Sequence, residues 1–137
     1  MLERKETAVD TALQSGAVKF ICGNALGVDT WAAQIVLKKR KENLEIQLEI
    51  ALPLFGHNSD SVACRKVQKE ANLVHVVSTE KSQTAAFFQR NKYMVDNSNI
   101  IIAVYDDQKS KRSGTQKTLE MAKKKGLEII QVPWGDI

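Results

Sequence analysis

Short apolar runs alternate along this chain with longer stretches in which apolar residues return every three or four positions. The first pattern predicts buried strands, and the second predicts amphipathic helices. The helices are predicted over residues 2–15, 29–42, 59–71, 84–97 and 114–125, and the strands over 18–22, 46–54, 73–77, 99–105 and 127–132. Helix and strand alternate five times, which predicts an α/β fold with a mostly parallel sheet and helices on both faces.

The strand over residues 99–105, N-I-I-I-A-V-Y, is apolar almost throughout. Such a strand is typical of a parallel sheet that is covered on both faces, and ligands bind such sheets beyond the carboxyl ends of the strands. Four loops are expected at that edge, over residues 23–29, 55–60, 78–84 and 106–115. Ser59 or Asp60 is expected to cap the helix that follows the second loop.

A glycine turn follows the first strand at this edge, and Gly23, Asn24 and Gly27 form it. Backbone N–H groups at a helix start favour an anion such as a phosphate, and glycine lets the backbone approach it closely. The spacing matches neither the dinucleotide fingerprint nor the P-loop, so an ordinary strand-to-helix turn is an equal alternative. Asp29 is expected to cap the next helix, with a hydrogen bond to a ribose hydroxyl as the alternative.

Two further segments predicted at this edge suit an anionic ligand. Arg90 and Asn91 lie on the helix before the most apolar strand, where an arginine could bind a phosphate through two parallel hydrogen bonds. The alternative is a solvated helix surface. Ser113, Gly114 and Thr115 begin the last helix, where they would hold a phosphate or simply cap the helix. All are ligand-binding candidates, and no catalytic residue is predicted.

Composition and charge narrow the class of protein. The chain has 137 residues, 43% of them hydrophobic and 26% charged, which predicts one domain over residues 1–137 with a single core. No apolar run is long enough to cross a bilayer and no secretory signal begins the chain, so a cytoplasmic location without a membrane partner is expected. A net charge of +4 admits an anionic ligand.

The cysteines and histidines of the chain do not predict a metal site or a catalytic site. Cys22 and Cys64 lack metal-ligand spacing, so no metal site is predicted, and Cys22 is expected to be a buried small residue. His57 is expected to be a surface residue, and His75 a structural one.

Four motifs occur together and in order. They are C-G-N-A-L-G-V-D-T-W-A-A, L-P-L-F, F-F-Q-R-N-K-Y-M-V-D-N-S-N-I-I-I-A-V-Y-D and S-G-T-Q-K-T-L-E-M-A-K-K-K-G. With them the chain resembles the SLOG superfamily, which unites the DNA-processing protein DprA (Smf), the LOG-type phosphoribohydrolases and the YpsA-like proteins. It is most similar to the bacterial YpsA-like proteins. The resemblance implies a Rossmann-like three-layer fold and a nucleotide or nucleotide-derived ligand, such as an ADP-ribose-like molecule.

The chain departs from the superfamily pattern at two places. Relatives begin with a strand that ends in a T-G-H/Y-R-P turn, whereas this chain begins in the helix that would follow it. Either the chain is truncated at its start or the sheet closes differently, and a partner or homodimer contact is expected to cover the gap. The LOG-type motif P-G-G-x-G-T-x-x-E carries a glutamate that assists glycosidic cleavage. Thr118 stands at that position here, and Glu120 lies about 200° away round the helix. A hydroxyl cannot replace that carboxylate, so hydrolysis by this mechanism is not expected.

Three functions follow as hypotheses. The leading one is a regulatory binding module or sensor for a nucleotide or nucleotide-derived ligand. The alternatives are a LOG-type nucleotide N-glycoside hydrolase and DprA-like binding of single-stranded DNA. The basic segment Lys109–Arg112 fits DNA binding, but only 6% of the residues are aromatic, and a stacking platform for bases requires aromatic rings.

Overall fold

The computed structural model describes residues 2–23, 28–54, 56–78, 82–105 and 114–133. Over these residues helices and strands alternate as α1 Leu2–Gln14, β1 Lys19–Cys22, α2 Val28–Glu42, β2 Gln47–Leu52, α3 Val62–Glu70, β3 Leu73–Val76, α4 Gln83–Asp96, β4 Ile100–Tyr105, α5 Gly114–Lys125 and β5 Glu128–Pro133. The alternation expected from the sequence is confirmed. Among the described helices, none is both long and apolar enough to cross a membrane.

The start of α3 differs from the expectation that Ser59 or Asp60 caps it. Ser61 is the N-cap, and its Oγ accepts a hydrogen bond from the backbone N–H of Cys64 at 3.2 Å. Ser59 and Asp60 lie in the preceding turn, where the N–H of Ser59 donates to the carbonyl of Gly56 at 3.0 Å. The expectation was wrong because three cap-forming residues stand in a row, and the turn decides which of them takes the extended backbone of a cap.

All strand pairs among the described residues are parallel, and they form two sheets. One sheet has the order β1-β2-β3, and the other pairs β4 with β5. Helices cover both faces, which makes three layers: α1 and α2 pack together on one face, and α4 and α5 pack together on the other. The fold is therefore an open, Rossmann-like α/β fold, as the sequence predicts. The division into two sheets was not predicted.

The core is centred on β2. Leu48 and Ile50 are fully buried in a cluster with Val9, Ala33 and Val36 of α1 and α2. Because side chains alternate along a strand, the intervening residues of β2 face α4 instead. Both faces of β2 are thereby covered, and the loop that follows β2 starts from a buried strand.

A cavity of about 720 Å3, which we call the inter-sheet cavity, lies between the two sheets. Residues 15–22, at and before β1, line one side, and residues 97–102, at the start of β4, line the other. The cavity also reaches Asp29 and Asn91. It therefore adjoins the edge at which the sequence predicts a ligand.

Candidate functional site

Gly23 follows β1 directly and lies at the carboxyl edge of the sheet, where α2 begins at Val28. Its carbonyl oxygen accepts a hydrogen bond from Nη1 of Arg90 on α4. The two residues are 67 positions apart in the sequence. Their bond ties α4 to the glycine turn and places the guanidinium beside it.

Arg90 is buried, with 9% of its surface exposed. Its Nε donates to Oδ1 of Asn91 at 2.8 Å, and its Cζ lies 5.7 Å from the centre of the Phe87 ring. The alternative of a solvated helix surface is therefore wrong for this residue. Burial lowers the pKa of the guanidinium and the Asp29 carboxylate opposes that shift, but an arginine remains charged at neutral pH.

A side chain at position 23 would collide with this arrangement. A β-carbon built on Gly23 would lie 2.6 Å from Nη1 of Arg90 and 3.1 Å from Oδ2 of Asp29. Nonbonded heavy atoms normally stay about 3.5–4 Å from a carbon atom. The close approach of two charged side chains therefore requires glycine at this position.

Asp29 lies in the first turn of α2, where a carboxylate interacts favourably with the helix dipole. It also influences Cys22, the last residue of β1. Burial, and then the charge of Asp29, raise the pKa of the Cys22 thiol, so the thiol is neutral at physiological pH. Cys22 is 8% exposed, which confirms the expectation of a buried small residue.

Two aromatic rings beside Arg90 were not predicted as site residues. His57 follows β2 and meets the Phe87 ring edge-on, with ring centroids 5.4 Å apart and an interplanar angle of 73°. Burial, and then the positive charge of Arg90, lower the pKa of His57, so this ring is neutral at pH 7. His57 is partly buried rather than fully at the surface as expected. Its position after β2, at the same edge as Gly23, was the signal in the sequence.

The structure brings four of the predicted site residues to one place: Gly23, Asp29, Arg90 and Asn91. Gly114 begins α5, and Thr115 follows it. The side chain of Thr115 and the whole of Asn24, Gly27 and Ser113 lie outside the described residues. Thr118 lines the inter-sheet cavity. In the described parts of the chain, no group of three or more His, Cys, Asp and Glu side chains is placed to hold a metal ion.

A second polar group lies on the face of the first sheet that α4 covers. Glu49 on β2 is 1% exposed, and its Oε2 accepts a hydrogen bond from the Tyr93 hydroxyl at 2.5 Å. Its Oε1 lies 3.2 Å from Nζ of Lys19 on β1, an ion-pair contact without hydrogen-bond geometry. His75 on β3 packs edge-on against Tyr93, with ring centroids 4.9 Å apart. The carboxylate therefore connects β1 and β2 with α4.

We expect Tyr93 to titrate well above an ordinary tyrosine. Its hydrogen bond to Glu49, and then burial, raise its pKa to about 12. The pKa of Tyr93 in the folded protein lies above the ordinary tyrosine value of about 10. The stabilisation that the bond to Glu49 gives the folded protein is therefore complete below about pH 10 and is lost as the pH rises through about 12. Tyr93→Phe should lower the free energy of unfolding by about 1–2 kcal/mol.

An ultraviolet pH titration checks this assignment. The chain has two tyrosines, and one of them should ionise near pH 12. That step should disappear in Tyr93→Phe, while the other tyrosine still titrates. A variant whose titration curve keeps the late step would contradict the bond to Glu49.

The open parallel α/β fold, with its glycine turn between β1 and α2, defines a Rossmann-like protein. The chain belongs to the YpsA family, described as the YspA SLOG family, because the family model matches residues 4–136. This match confirms the resemblance to YpsA-like proteins of the SLOG superfamily.

Relatives of the chain include bacterial proteins that carry the name UPF0398 protein. The protein from Staphylococcus haemolyticus is 29% identical over 89 residues, which are 61% of this chain and 48% of that protein. The protein from Halalkalibacterium halodurans is 27% identical over 126 residues, 88% of this chain and 66% of that protein. The protein from Bacillus thuringiensis is 29% identical over 132 residues, 91% of this chain and 68% of that protein. The chain thus spans about half to two thirds of the length of these relatives.

Proposed function

We propose that this protein binds a nucleotide or nucleotide-derived molecule beside Gly23, Asp29, Arg90 and Asn91, and that it acts as a sensor or regulator. The observation that carries the proposal is the buried guanidinium of Arg90 at the turn that leads into α2. Its bonds to described partners use two of the five N–H donors that a guanidinium has. A phosphate at this position would accept further bonds from the guanidinium and interact favourably with the helix start.

The surroundings of Arg90 favour a ligand that carries more than a phosphate. The rings of His57 and Phe87 lie next to the guanidinium, and aromatic rings are the surfaces on which nucleobases stack. The Asp29 carboxylate is an acceptor for a sugar hydroxyl, as acidic residues are in other Rossmann-like sites. A nucleotide therefore suits this edge better than inorganic phosphate does.

We propose that residues 1–137 act as one domain in the cytoplasm, where nucleotides are abundant. We also propose a homodimer, which sedimentation would detect as twice the molecular mass of one chain. Glycosidic hydrolysis is not part of the proposal, because Thr118 stands where LOG-type proteins carry the assisting glutamate. An assay for free base released from nucleoside monophosphates tests that point.

Thermal unfolding with nucleoside mono-, di- and triphosphates, ADP-ribose and NAD tests the binding. A ligand at one hundred times its dissociation constant should stabilise the fold by about 2.7 kcal/mol, which raises Tm measurably. Arg90→Lys should abolish this rise, because lysine keeps the charge but lacks the planar fork of donors. Lysine is preferred to alanine here because it leaves no cavity in the buried site.

Arg40→Lys is the matched control. Arg40, in the last turn of α2, donates to Oδ1 of Asn72 at 2.7 Å and to the carbonyl of Glu70 at 2.8 Å, at the opposite end of the helix from Asp29. This variant should keep the whole rise in Tm. The proposal is overturned if none of these ligands stabilises the folded protein, or if Arg90→Lys responds as fully as the unaltered chain.

A further inference from the structure

We propose that His57 binds the anionic group of the ligand together with Arg90, and that it takes up a proton as this group arrives, so that the affinity of the site rises as the pH falls. This role of His57 rests on the proposed nucleotide site and adds a control by pH to it. His57 lies in the turn after β2, and Arg90 lies on α4. The two side chains therefore reach the edge of the sheet from different elements.

The ring of Phe87 is the common neighbour of His57 and Arg90. The imidazole meets this ring edge-on, with centroids 5.4 Å apart, and Cζ of Arg90 lies 5.7 Å from the centre of the same ring. Unscreened charge effects act over distances of about 8–10 Å at ordinary ionic strength. An anion bound to the guanidinium of Arg90 therefore lies close enough to His57 to favour a proton on the imidazole.

The charges at the edge show why the site needs a second cation. Arg90 of α4 and Asp29 of α2 are the described charged groups whose charges act on His57. Both approach Gly23, since a β-carbon there would lie 2.6 Å from Nη1 of Arg90 and 3.1 Å from Oδ2 of Asp29. The charges of these two groups are opposite and cancel, and a carboxylate repels a phosphate. A proton on His57 restores a net positive charge for the anion to bind.

Two further charged residues lie near the turn that carries His57. Asp60 belongs to this turn, and Arg65 of α3 donates to the carbonyl of Ser59 at 2.7 Å. Both are exposed, so water screens their charges. Because they are also opposite in sign, they leave the charge balance around His57 to Arg90 and Asp29.

A hydrogen bond to Asn58 shows what a proton changes at His57. Nε2 of the imidazole lies 3.1 Å from Nδ2 of Asn58. An amide nitrogen only donates, so Nε2 accepts this bond and the neutral ring carries its proton on Nδ1. A second proton on Nε2 ends the bond, and the amide of Asn58 then has to turn its oxygen toward the ring. The free site therefore holds His57 neutral until an anion favours the charged form.

The direction of the pH dependence follows from the pKa of His57 in the free and bound proteins. Burial, and then the charge of Arg90, lower this pKa from its ordinary value of 6.5 in the free protein. An anion beside the ring raises it. Binding therefore takes up a proton at pH values between the two pKa values and weakens as the pH rises through them. A rise of about one pKa unit on binding makes the affinity about tenfold higher at low pH.

Calorimetric titration with ADP-ribose and NAD, from about pH 5 to about pH 8, tests the proposal. The diphosphate of these molecules does not titrate in this range, so a change of affinity reports on the protein. The dissociation constant should be about tenfold smaller at the low end than at the high end. In NMR spectra of the unaltered chain, the ring of His57 should titrate at a higher pH with the ligand than without it.

His57→Gln separates the charge of this residue from its shape. Glutamine can accept the bond from Asn58 but cannot take up a proton, so the ratio of the dissociation constants at the two ends of the pH range should fall to about one. His75→Gln is the matched control, because His75 is the other histidine of the chain and packs against Tyr93. That variant should keep the tenfold ratio.

AMP and ADP extend the test to nucleotides with a terminal phosphate. Such a phosphate titrates near about pH 6 itself, so the unaltered chain is compared with His57→Gln at each pH. The phosphate titrates identically in both, and the difference between them belongs to His57.

The outcomes distinguish this role of His57 from the nucleotide site itself. If a nucleotide binds but the pKa of His57 does not rise, or if His57→Gln keeps the tenfold ratio, the site exists and the role of His57 is overturned. If none of these molecules binds at any pH in the range, the nucleotide site fails and the role of His57 fails with it.

Discussion

Gly23→Ala should lower the free energy of unfolding by about 1–3 kcal/mol and abolish stabilisation by nucleotides. The new β-carbon would lie 2.6 Å from Nη1 of Arg90 and 3.0 Å from its Cζ, so the guanidinium must leave the turn. The cost is steric, because Gly23 is not among the glycines with positive φ. Moving Arg90 also leaves its charge farther from His57, whose pKa that charge lowers.

Denaturant unfolding, nucleotide-dependent Tm and the NMR titration of His57 measure these effects. Gly16→Ala is the control, since Gly16 lies in the turn after α1 with a φ of 97° and has open space around it. That variant should lose about 1–2 kcal/mol through backbone strain alone. It should leave the nucleotide response and the pKa of His57 as they are. A Gly23→Ala protein with an unaltered His57 pKa would contradict the close approach of Arg90.

Ile50→Ala should lower the free energy of unfolding by about 2–5 kcal/mol. Ile50 is 0% exposed and lies in the middle strand of its sheet, where it is paired with Cys22 of β1 and Val74 of β3. Removing its outer carbon atoms creates a cavity between β2 and the helices that cover it. Because domains of this size are stabilised by about 5–15 kcal/mol in total, this loss is a large share of the whole.

Leu73→Ala is the matched control for Ile50→Ala. Leu73 lies on β3 of the same sheet but is 50% exposed, so truncating it should cost about 1 kcal/mol or less. Urea unfolding of the two variants measures the loss of free energy of unfolding in each. The dependence of that free energy on urea concentration should be similar in both. Equal losses would contradict the placement of the core around β2.

The order of elements could be predicted because it depends on local patterns. Apolar periodicity within a short window distinguishes Ile100–Tyr105 as a strand and Val28–Glu42 as a helix, and the structure has both. The separation of β1 and β4 into two different sheets depends on which strands pair with each other, and the pairing strands are distant in sequence. No pattern within either strand carries that information.

Only part of the candidate site could be predicted, because the rest depends on contacts between elements that are distant in sequence. Gly23 and Asp29 are close in sequence, so a turn between a strand and a helix brings them together. The burial of Arg90 depends on which face of α4 meets a turn 67 positions away, and a helix with charged and apolar residues interspersed does not reveal that face. The contact of His57 with Phe87 likewise joins two separate elements.

α4 carries Arg90 and Tyr93 one helical turn apart. The first is bonded to the carbonyl that follows β1, and the second to a carboxylate within β2. The helix thus connects the carboxyl edge of the sheet with the phenol of Tyr93 over the middle strand. If a bound ligand shifts α4, we expect the ultraviolet absorption of this phenol to change, and the protein would then report occupancy of the edge without an attached dye.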